Sequence, residues 1–483
     1  MKEWTKEERY RHFNNKNEIS NLYDKIQNSK YRQVFHIQPV TGLLNDPNGF
    51  VYHNKTWHLF YQWFPFGAVH GLKHWYHVTS TNLITWKNKG VCIYPDCIYD
   101  NKGAYSGSAL VTDQSIYLYY TGNHRDENWH RHSYTCLVNL RDDGTVHKYS
   151  KPLFGPHPSY SEHQRDPKII YRQEDQTYYL LIGAQTLNKK GRVIIYKSSH
   201  HNKDFSFAGE LKVPGFEDFG DMWECPSIET INNQDILIFC PQHIYLTNRE
   251  QEYNHNGYLL GKMDWKNLIF TPSGHFHVLD FGFDSYAAEC AANINDSKKA
   301  ILIAWMGLPD SSYPSDNDCW QGCLTMPREL CIENRRLLQK PLEGFKILRD
   351  QRIDTTTHKL PQACEIEIHC QGNLNLLLFS KKDQTGGLRI QYTHHTLTVD
   401  RSRLHNHFNK ERGEMRSRVL ENDLYHLRIF IDTSSIEIYV NDGEALFTSR
   451  VFLEEDEHYI YYQYQGSIQI WSLKPAVFNE FII

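Results

Sequence analysis

Three short acidic motifs recur in the first half of the chain. Asp46 lies in NDPNG, Asp166 lies in RDP and Glu224 lies in ECP. Carboxylates that meet in an aromatic-lined cleft can coordinate a cation such as Ca²⁺, bind the hydroxyls of a sugar without reacting, or hydrolyse a glycoside. Hydrolysis needs one ionised carboxylate and one protonated carboxylic acid beside the bond that breaks.

The local sequence around two of these acids favours different protonation states. Asp46 stands in a turn of Asn and Gly, whose backbone N–H groups favour a carboxylate anion. Glu224 follows Met222 and Trp223 and precedes Cys225, and apolar neighbours favour the protonated form. We therefore expect the split in acidity that glycoside hydrolysis requires.

The elements that must position these acids form a repeat with a period of about 60 residues. Hairpins rich in aromatic and aliphatic side chains begin at Asp46, Ser106, Asp166, Glu224 and Glu289. Helical periodicity is nearly absent after residue 30, so the chain is predicted to be all-β. Five units with room for four strands each predict a five-bladed β-propeller, with the leading residues around one mouth of its channel.

The remaining segments differ from this repeat. Thr5 and Glu8 fit a capping box, so residues 1–30 are predicted to form an N-terminal extension with a short helix. The propeller is predicted for residues 31–340 and a linker for 341–355. Short strands at close, regular spacing then predict a β-sandwich over 356–483.

Composition excludes several classes of function. The net charge of −5 gives no general attraction to nucleic acid or to an anionic membrane. No apolar run is long enough to span a membrane, and the charged N-terminus does not resemble a signal peptide, so a cytoplasmic location is expected. Eleven cysteines, an odd number, indicate reduced thiols. Cys319 and Cys323 lack a second pair, so neither a metal site nor a cofactor is expected.

The motifs NDPNG, RDP and ECP, in this order, resemble those of glycoside hydrolase family 32. The stretches FYQWFPFG, YSGSA, LDFGFDSYA, AWMG, MPREL and DTSSIEIYVNDGE are also similar to that family. The resemblance implies a five-bladed propeller followed by a β-sandwich. It further implies that Asp46 is the nucleophile, Glu224 the acid/base and Asp166 the stabiliser of the transition state, with Arg165 paired to Asp166. Glu289 has no catalytic role in that family.

Further residues are expected to bind the sugar. Gln62 and Trp305 stand at the same offset from the leading acids of their units, Asp46 and Glu289, so both return to the same face. By the resemblance, the fructosyl ring is contacted at these positions and at Asn45, Tyr105 and Ser106. The alternative for each is a turn or core residue, and for Trp305 a buried tryptophan is an equally good interpretation.

The stretch HGLKHWYH bears on the substrate. His70 and Lys73, with His74 and His77, predict a positive cluster beside the pocket. Together with the opening WTKEERYR, this stretch resembles the bacterial branch of the family that hydrolyses sucrose-6-phosphate, and a phosphate dianion would suit Lys73 and a protonated histidine.

The expected activity is therefore that of a retaining β-fructofuranosidase acting on sucrose-6-phosphate and sucrose. Its partner would be a small sugar, with no nucleic acid or membrane. A fructan hydrolase of the same family and a non-catalytic sugar-binding propeller are the alternatives, and His70 and Lys73 could also be exposed loop residues.

Overall fold

The computed structural model describes residues 3–13, 15–247, 249, 251–478 and 480–483. Within these ranges the N-terminal extension holds two α-helices rather than the single helix predicted, α1 (Lys6–Arg9) and α2 (Lys16–Ile26). The predicted capping box is present, since Thr5 and Glu8 exchange hydrogen bonds at the start of α1. None of the described helices has the length and apolar character needed to cross a bilayer.

Five antiparallel sheets in the described residues confirm the predicted five-bladed propeller. Each blade is an antiparallel meander of four or more strands, in which most strands that follow one another in the chain pair in space. The strands of the first three blades are β1 (Gly42–His53), β2 (Thr56–Phe64), β3 (His74–Ser80), β4 (Trp86–Ile93), β5 (Ala104–Thr112), β6 (Ser115–Arg125), β7 (Arg131–Arg141), β8 (Val146–Lys148), β9 (Tyr160–Arg172), β10 (Thr177–Thr186), β11 (Gly191–Ser198) and β12 (Ser206–Glu210).

The last two blades complete the ring and close it on the first. Their strands are β13 (Met222–Ile231), β14 (Gln234–Gln242), β15 (Gly257–Asp264), β16 (Ile269–Pro272), β17 (His277–Val278), β18 (Tyr286–Cys290), β19 (Lys299–Trp305), β20 (Trp320–Gln321), β21 (Arg328–Glu333) and β22 (Arg336–Pro341). The short strand β20, from the region of the fifth blade, pairs in parallel with β1.

The C-terminal strands form the predicted β-sandwich around one aliphatic core. They are β23 (Arg349–Arg352), β24 (Cys364–Ser380), β25 (Gly386–Thr393), β26 (Thr396–Asp400), β27 (Met415–Val419), β28 (His426–Asp432), β29 (Ser435–Val440), β30 (Ala445–Arg450), β31 (Tyr459–Leu473) and β32 (Val477–Phe478), of which β32 returns to pair with β4. On one side the long strand β24 pairs with β28 in its first half and with β25 in its second half, and on the other side it pairs with β31 along nearly its whole length. A register shift with β31 lies near Gly372, whose φ is +71°.

Short 3₁₀ segments connect the strands. They span Ile98–Asp100, Pro314–Asp318, Glu343–Leu348, Thr355–Thr357, Lys410–Arg412 and Asn441–Gly443.

A buried ionic network holds the segment before β1 against the sandwich. Asp432 accepts hydrogen bonds from the backbone N–H groups of Val34, Phe35 and His36. The His36 ring lies 2.9 Å from Asp432 through Nδ1 and 3.0 Å from Glu437 through Nε2. Burial lowers the pKa of His36, but the two carboxylates more than offset this and raise it to about 9, so the ring carries a proton at neutral pH.

Candidate active site

A β-bulge interrupts the first strand of every blade at the same level. In the first blade, β1 has one more residue than β2 between two successive paired positions. The first strand of each of the other four blades carries the same one-residue insertion. A bulge bends the strand and re-aims the side chains beside it. In three blades the bulged residue has a positive φ, which is +65° at Asp166, +48° at Cys225 and +49° at Ala287. The repeat therefore places a kink, rather than a simple turn, at the mouth of the channel.

Relative to the bulge, the five predicted leading residues do not occupy equivalent positions in their blades. Glu224 immediately precedes the bulged Cys225, whereas Glu289 lies two residues after the bulged Ala287. Tyr286 takes the position in the fifth blade that corresponds to Glu224. The expectation that Glu289 joins the other acids at the mouth is thus wrong.

Glu289 instead lies deeper in the channel. It lines a small cavity with Asn48, Ser108, Lys168 and Ser227, each two residues after its own bulge. Burial raises the pKa of Glu289 to about 8.

Asp46 is held by side chains rather than by the backbone of its motif. Its carboxylate accepts hydrogen bonds from Ser106 Oγ at 2.5 Å, Gln62 Nε2 at 3.2 Å and Asn45 Nδ2 at 3.0 Å. Among the described residues no backbone N–H donates to it, so the predicted turn stabilisation is wrong. Burial raises the pKa of Asp46, the Ser106 hydroxyl opposes this, and the charge of Glu224 raises it further.

Glu224 is surrounded by four donors. Oε1 accepts from Arg165 Nε at 2.9 Å and lies 2.8 Å from Arg165 Nη2. Oε2 accepts from Gln242 Nε2 and from the Tyr286 hydroxyl, each at 2.6 Å. The apolar setting expected for Glu224 is therefore wrong. Met222 and Trp223 are both 2 % exposed, and Trp223 packs into the hydrophobic cluster between the third and fourth blades.

The same contacts correct the predicted role of Arg165, because its guanidinium pairs with Glu224 and not with Asp166. Asp166 accepts instead from the backbone N–H of Cys225 at 3.0 Å. Burial raises the pKa of Asp166 to about 7, with Arg165 opposing the rise and Glu224 adding to it. Asp166 thus keeps part of its proton at neutral pH, next to two other carboxylates.

Gln242 and Tyr286 were missed by the sequence analysis. Tyr286 had a usable signal, because Asn45, Tyr105, Arg165, Glu224 and Tyr286 recur with the same period as the hairpins. These are the residues just before the five bulges, and a repeat aligned on them would have found Tyr286.

Lys73 lies inside the site, where its Nζ donates to Asn45 Oδ1. Burial lowers the pKa of Lys73 to about 7, and the charge of Asp46 opposes the fall. The residue is 1 % exposed, and its ammonium lies on the side of the pocket where Asn45 contacts Asp46. It is therefore not an exposed loop residue, and it is not free to reach outward to a phosphate.

The predicted positive cluster of histidines is wrong. Burial lowers the pKa of His70 and His77 well below the usual range and lowers that of His74 to about 3. His74 and His77 lie in β3 and are buried, while His70 is half-buried. All three rings are neutral at pH 7 and cannot attract an anion by charge.

Trp305 and Tyr105 flank the pocket at different depths. Trp305 is 1 % exposed, and its Nε1 lies near Gly322. The rings of Trp305 and His70 pack edge to face, with their centroids 6.2 Å apart. Trp305 thus packs against His70, and a direct contact between Trp305 and the sugar stays a prediction. Tyr105 is half-buried and its backbone carbonyl accepts from Trp75 Nε1 at 3.1 Å.

No metal-ligating group of three or more His, Cys, Asp or Glu side chains lies at this pocket in the described part of the chain. The group of this kind that the described residues do contain lies in the β-sandwich and consists of Glu367, His369 and His426. The pocket itself holds three carboxyl groups close enough to act on one another by charge, those of Asp46, Asp166 and Glu224.

Comparison with known proteins decides the family. The model of the glycosyl hydrolases family 32 N-terminal domain matches residues 36–341, and that of the family 32 C-terminal domain matches residues 336–475. The chain belongs to glycosyl hydrolase family 32. Both domains take part in the match, which confirms the family 32 prediction and identifies the chain as a glycoside hydrolase.

Individual family 32 proteins are similar over nearly the whole chain. A sucrose-6-phosphate hydrolase of Staphylococcus xylosus is 39 % identical, over 94 % of this chain and 94 % of its own length. The structure of sucrose-6-phosphate hydrolase from Lactobacillus gasseri has a TM-score of 0.92 and 35 % identity, covering 98 % of this chain and 100 % of that one. A family 32 β-fructofuranosidase mutant of Bombyx mori in complex with sucrose has a TM-score of 0.82 and 28 % identity, covering 96 % and 98 %.

Proposed function

We propose that this chain is a retaining β-fructofuranosidase that hydrolyses sucrose-6-phosphate, and also sucrose, to fructose and glucose-6-phosphate or glucose. The observation that carries the proposal is the convergence of Asp46, Asp166 and Glu224 in one buried pocket, in which each carboxyl group has its own set of hydrogen-bond donors. The sucrose-6-phosphate hydrolases that match over nearly the whole chain support the phosphorylated substrate.

Asp46 and Glu224 act in turn. Asp46 attacks the anomeric carbon of the fructosyl group, and Glu224 gives its proton to the departing glycosidic oxygen. Glu224 then takes a proton from the water that cleaves the fructosyl–Asp46 ester, which restores both groups and retains the configuration. Arg165 and Tyr286 fix the Glu224 carboxyl group from opposite oxygens, so it can give and take a proton without turning.

Asp166 stabilises the positive charge that develops on the fructosyl ring and binds its hydroxyls. Its raised pKa means that approach of the developing cation favours its ionised form most in the transition state. We expect Asp166→Asn to lower kcat strongly and to leave the melting temperature nearly unchanged. Near-normal turnover of this variant would contradict the role.

The remaining predicted contacts follow from their positions. Asn45, Gln62 and Ser106 contact Asp46 directly, so they orient the nucleophile as well as the sugar. We propose that Tyr105 and His70 form the walls on either side of the fructosyl ring, and that Trp305 supports His70.

The activity is tested with three substrates and one spectroscopic measurement. We expect hydrolysis of sucrose-6-phosphate to exceed that of sucrose in kcat/KM, and inulin to be a poor substrate. Proton NMR should show β-fructose as the first-formed anomer. First formation of α-fructose would contradict retention, and a preference for inulin would identify a fructan hydrolase.

A cytoplasmic location follows from this substrate, because sucrose that is phosphorylated during uptake is found inside the cell. The only partner required is the small sugar itself. Fractionation that recovers the activity from culture medium would contradict this location.

A further inference from the structure

The pocket wall that leads outward from Glu224 is lined with guanidinium groups. Arg165 Nη1 lies 3.2 Å from His163 Nδ1, and Arg131 Nη1 lies 3.2 Å from the same nitrogen. Three side-chain contacts therefore join Glu224, the proposed proton donor, to Arg131, by way of Arg165 and His163. The side chains of Glu224 and Arg165 are 16 % and 13 % exposed, whereas that of His163 is 36 % exposed. This line of contacts runs from the buried pocket towards its mouth.

Arg131 is a cation that makes no ion pair within the described part of the chain. Among the described residues no carboxylate lies within ion-pair distance of its guanidinium, and His163 is the single hydrogen-bond partner of that group. Its Nε is buried and lacks any partner. An unpartnered buried donor carries a free-energy cost that a ligand can remove. Burial and the nearby Arg165 also lower the pKa of Arg131, so a bound anion would stabilise its charged form.

Acids near this wall are already engaged. Glu162 accepts the backbone N–H of Arg131 at 3.0 Å and lies 3.8 Å from Arg125 Nη1. Asp126 accepts the backbone N–H of His130 at 2.8 Å and lies 3.2 Å from His132 Nε2. Against the effect of burial, the charge of Arg131 lowers the pKa of Glu162, but in the described part of the chain no ion pair joins either carboxylate to the Arg131 guanidinium.

Lys6 of the N-terminal extension and Lys102 of the propeller are further cations beside this wall. Trp129, in the loop between β6 and β7, lies under Lys6 Nζ at 3.1 Å and packs edge-on against Tyr10 at 5.4 Å. Lys102 Nζ is 5.7 Å from the same ring. The charges of Arg131 and Arg125 and the hydroxyl of Tyr10 all act on Tyr105, which places this group next to the proposed sugar site.

We infer that Arg131, supported by Arg125 and the cations around Trp129, binds the phosphate of the departing glucose-6-phosphate group and sets the preference for the phosphorylated substrate. This inference rests on the proposed function. The leaving group lies on the proton donor's side of the pocket, and a guanidinium there matches a phosphate dianion in charge and in paired geometry. The HGLK stretch cannot serve, because Lys73 faces Asn45 and the neighbouring histidines are neutral.

The test compares kcat/KM for sucrose-6-phosphate with kcat/KM for sucrose. One charge-assisted contact changes such a ratio by about 10- to 150-fold. We expect Arg131→Gln to lower the ratio by that amount, mostly through KM for sucrose-6-phosphate, and Arg131→Lys to lower it less. Arg141→Gln is the matched control, because Arg141 is exposed at the other end of the same strand, β7. Higher ionic strength should reduce the wild-type ratio.

A second variant moves the ratio in the opposite direction. Glu162→Gln removes the negative charge beside Arg125 and keeps an acceptor for the Arg131 N–H, so the ratio should rise. It remains informative if Arg131→Gln does not fold. A wild-type enzyme that hydrolyses sucrose without preferring sucrose-6-phosphate would overturn the proposed substrate. A wild-type preference that survives in Arg131→Gln, or that Glu162→Gln fails to raise, would overturn the role of this wall and leave the proposed function standing.

Discussion

Replacing Lys73 by methionine separates a role at the nucleophile from a role at the phosphate. Lys73 Nζ donates to Asn45 Oδ1, and Asn45 Nδ2 in turn donates to Asp46 at 3.0 Å and to Gln62 at 3.2 Å. The ammonium therefore orients the amide that touches the nucleophile. Methionine keeps the length and the packing of the stem but removes the donor and the charge.

The expected loss follows from this single contact. A hydrogen bond from a charged donor contributes roughly 1.5 to 3 kcal/mol, which is about 10- to 150-fold in kcat/KM. Because the contact lies on the fructosyl side, sucrose and sucrose-6-phosphate should lose the same factor. The charge of Lys73 also lowers the pKa of Asp46. Its removal raises that pKa, so the acidic limb of the pH profile should move to higher pH.

The assay is kcat/KM for both substrates as a function of pH, with Lys87→Met on β4 as the exposed control. A loss confined to sucrose-6-phosphate would show that Nζ reaches the phosphate and would refute the reasoning. An equal loss with no movement of the acidic limb would show that Lys73 only supports the fold.

Three further outcomes are expected. Glu224→Ala should be severely impaired on sucrose but much less so on a fructoside with a nitrophenol leaving group, which needs little protonation; equal impairment would argue against the acid role. Tyr286→Phe removes a 2.6 Å hydrogen bond to Glu224 and should lower kcat by about tenfold, measured at saturating sucrose. His36 has a folded pKa of about 9 against an ordinary 6.5, so its contribution to stability is complete below 6.5 and lost as pH rises through 9. Melting temperature should fall over that window in the wild type and fall less in His36→Gln; identical slopes would contradict a protonated His36 between Asp432 and Glu437.

The chain by itself was enough to predict five blades and a sandwich, and it singled out three acids, proposed to be reactive, that the structure brings into one pocket. The regular repeat of hairpins and the alternation of apolar side chains are local properties of the sequence. They predict the blades because the strands of each blade pair mainly with their neighbours in the chain. The motifs around Asp46, Asp166 and Glu224 are equally local, since each sits at the start of one hairpin.

The partners of those acids were decided only by the tertiary structure. Arg165 directly precedes Asp166 in sequence but contacts Glu224 from the next blade, because a bulge turns adjacent side chains in different directions. Tyr286 reaches Glu224 from the fifth blade for the same reason. The neutrality of His70 is likewise a consequence of burial, which depends on segments far away in the chain. Spacing determined which residues approach the channel, whereas the kinks and the packing between blades determined what each one touches.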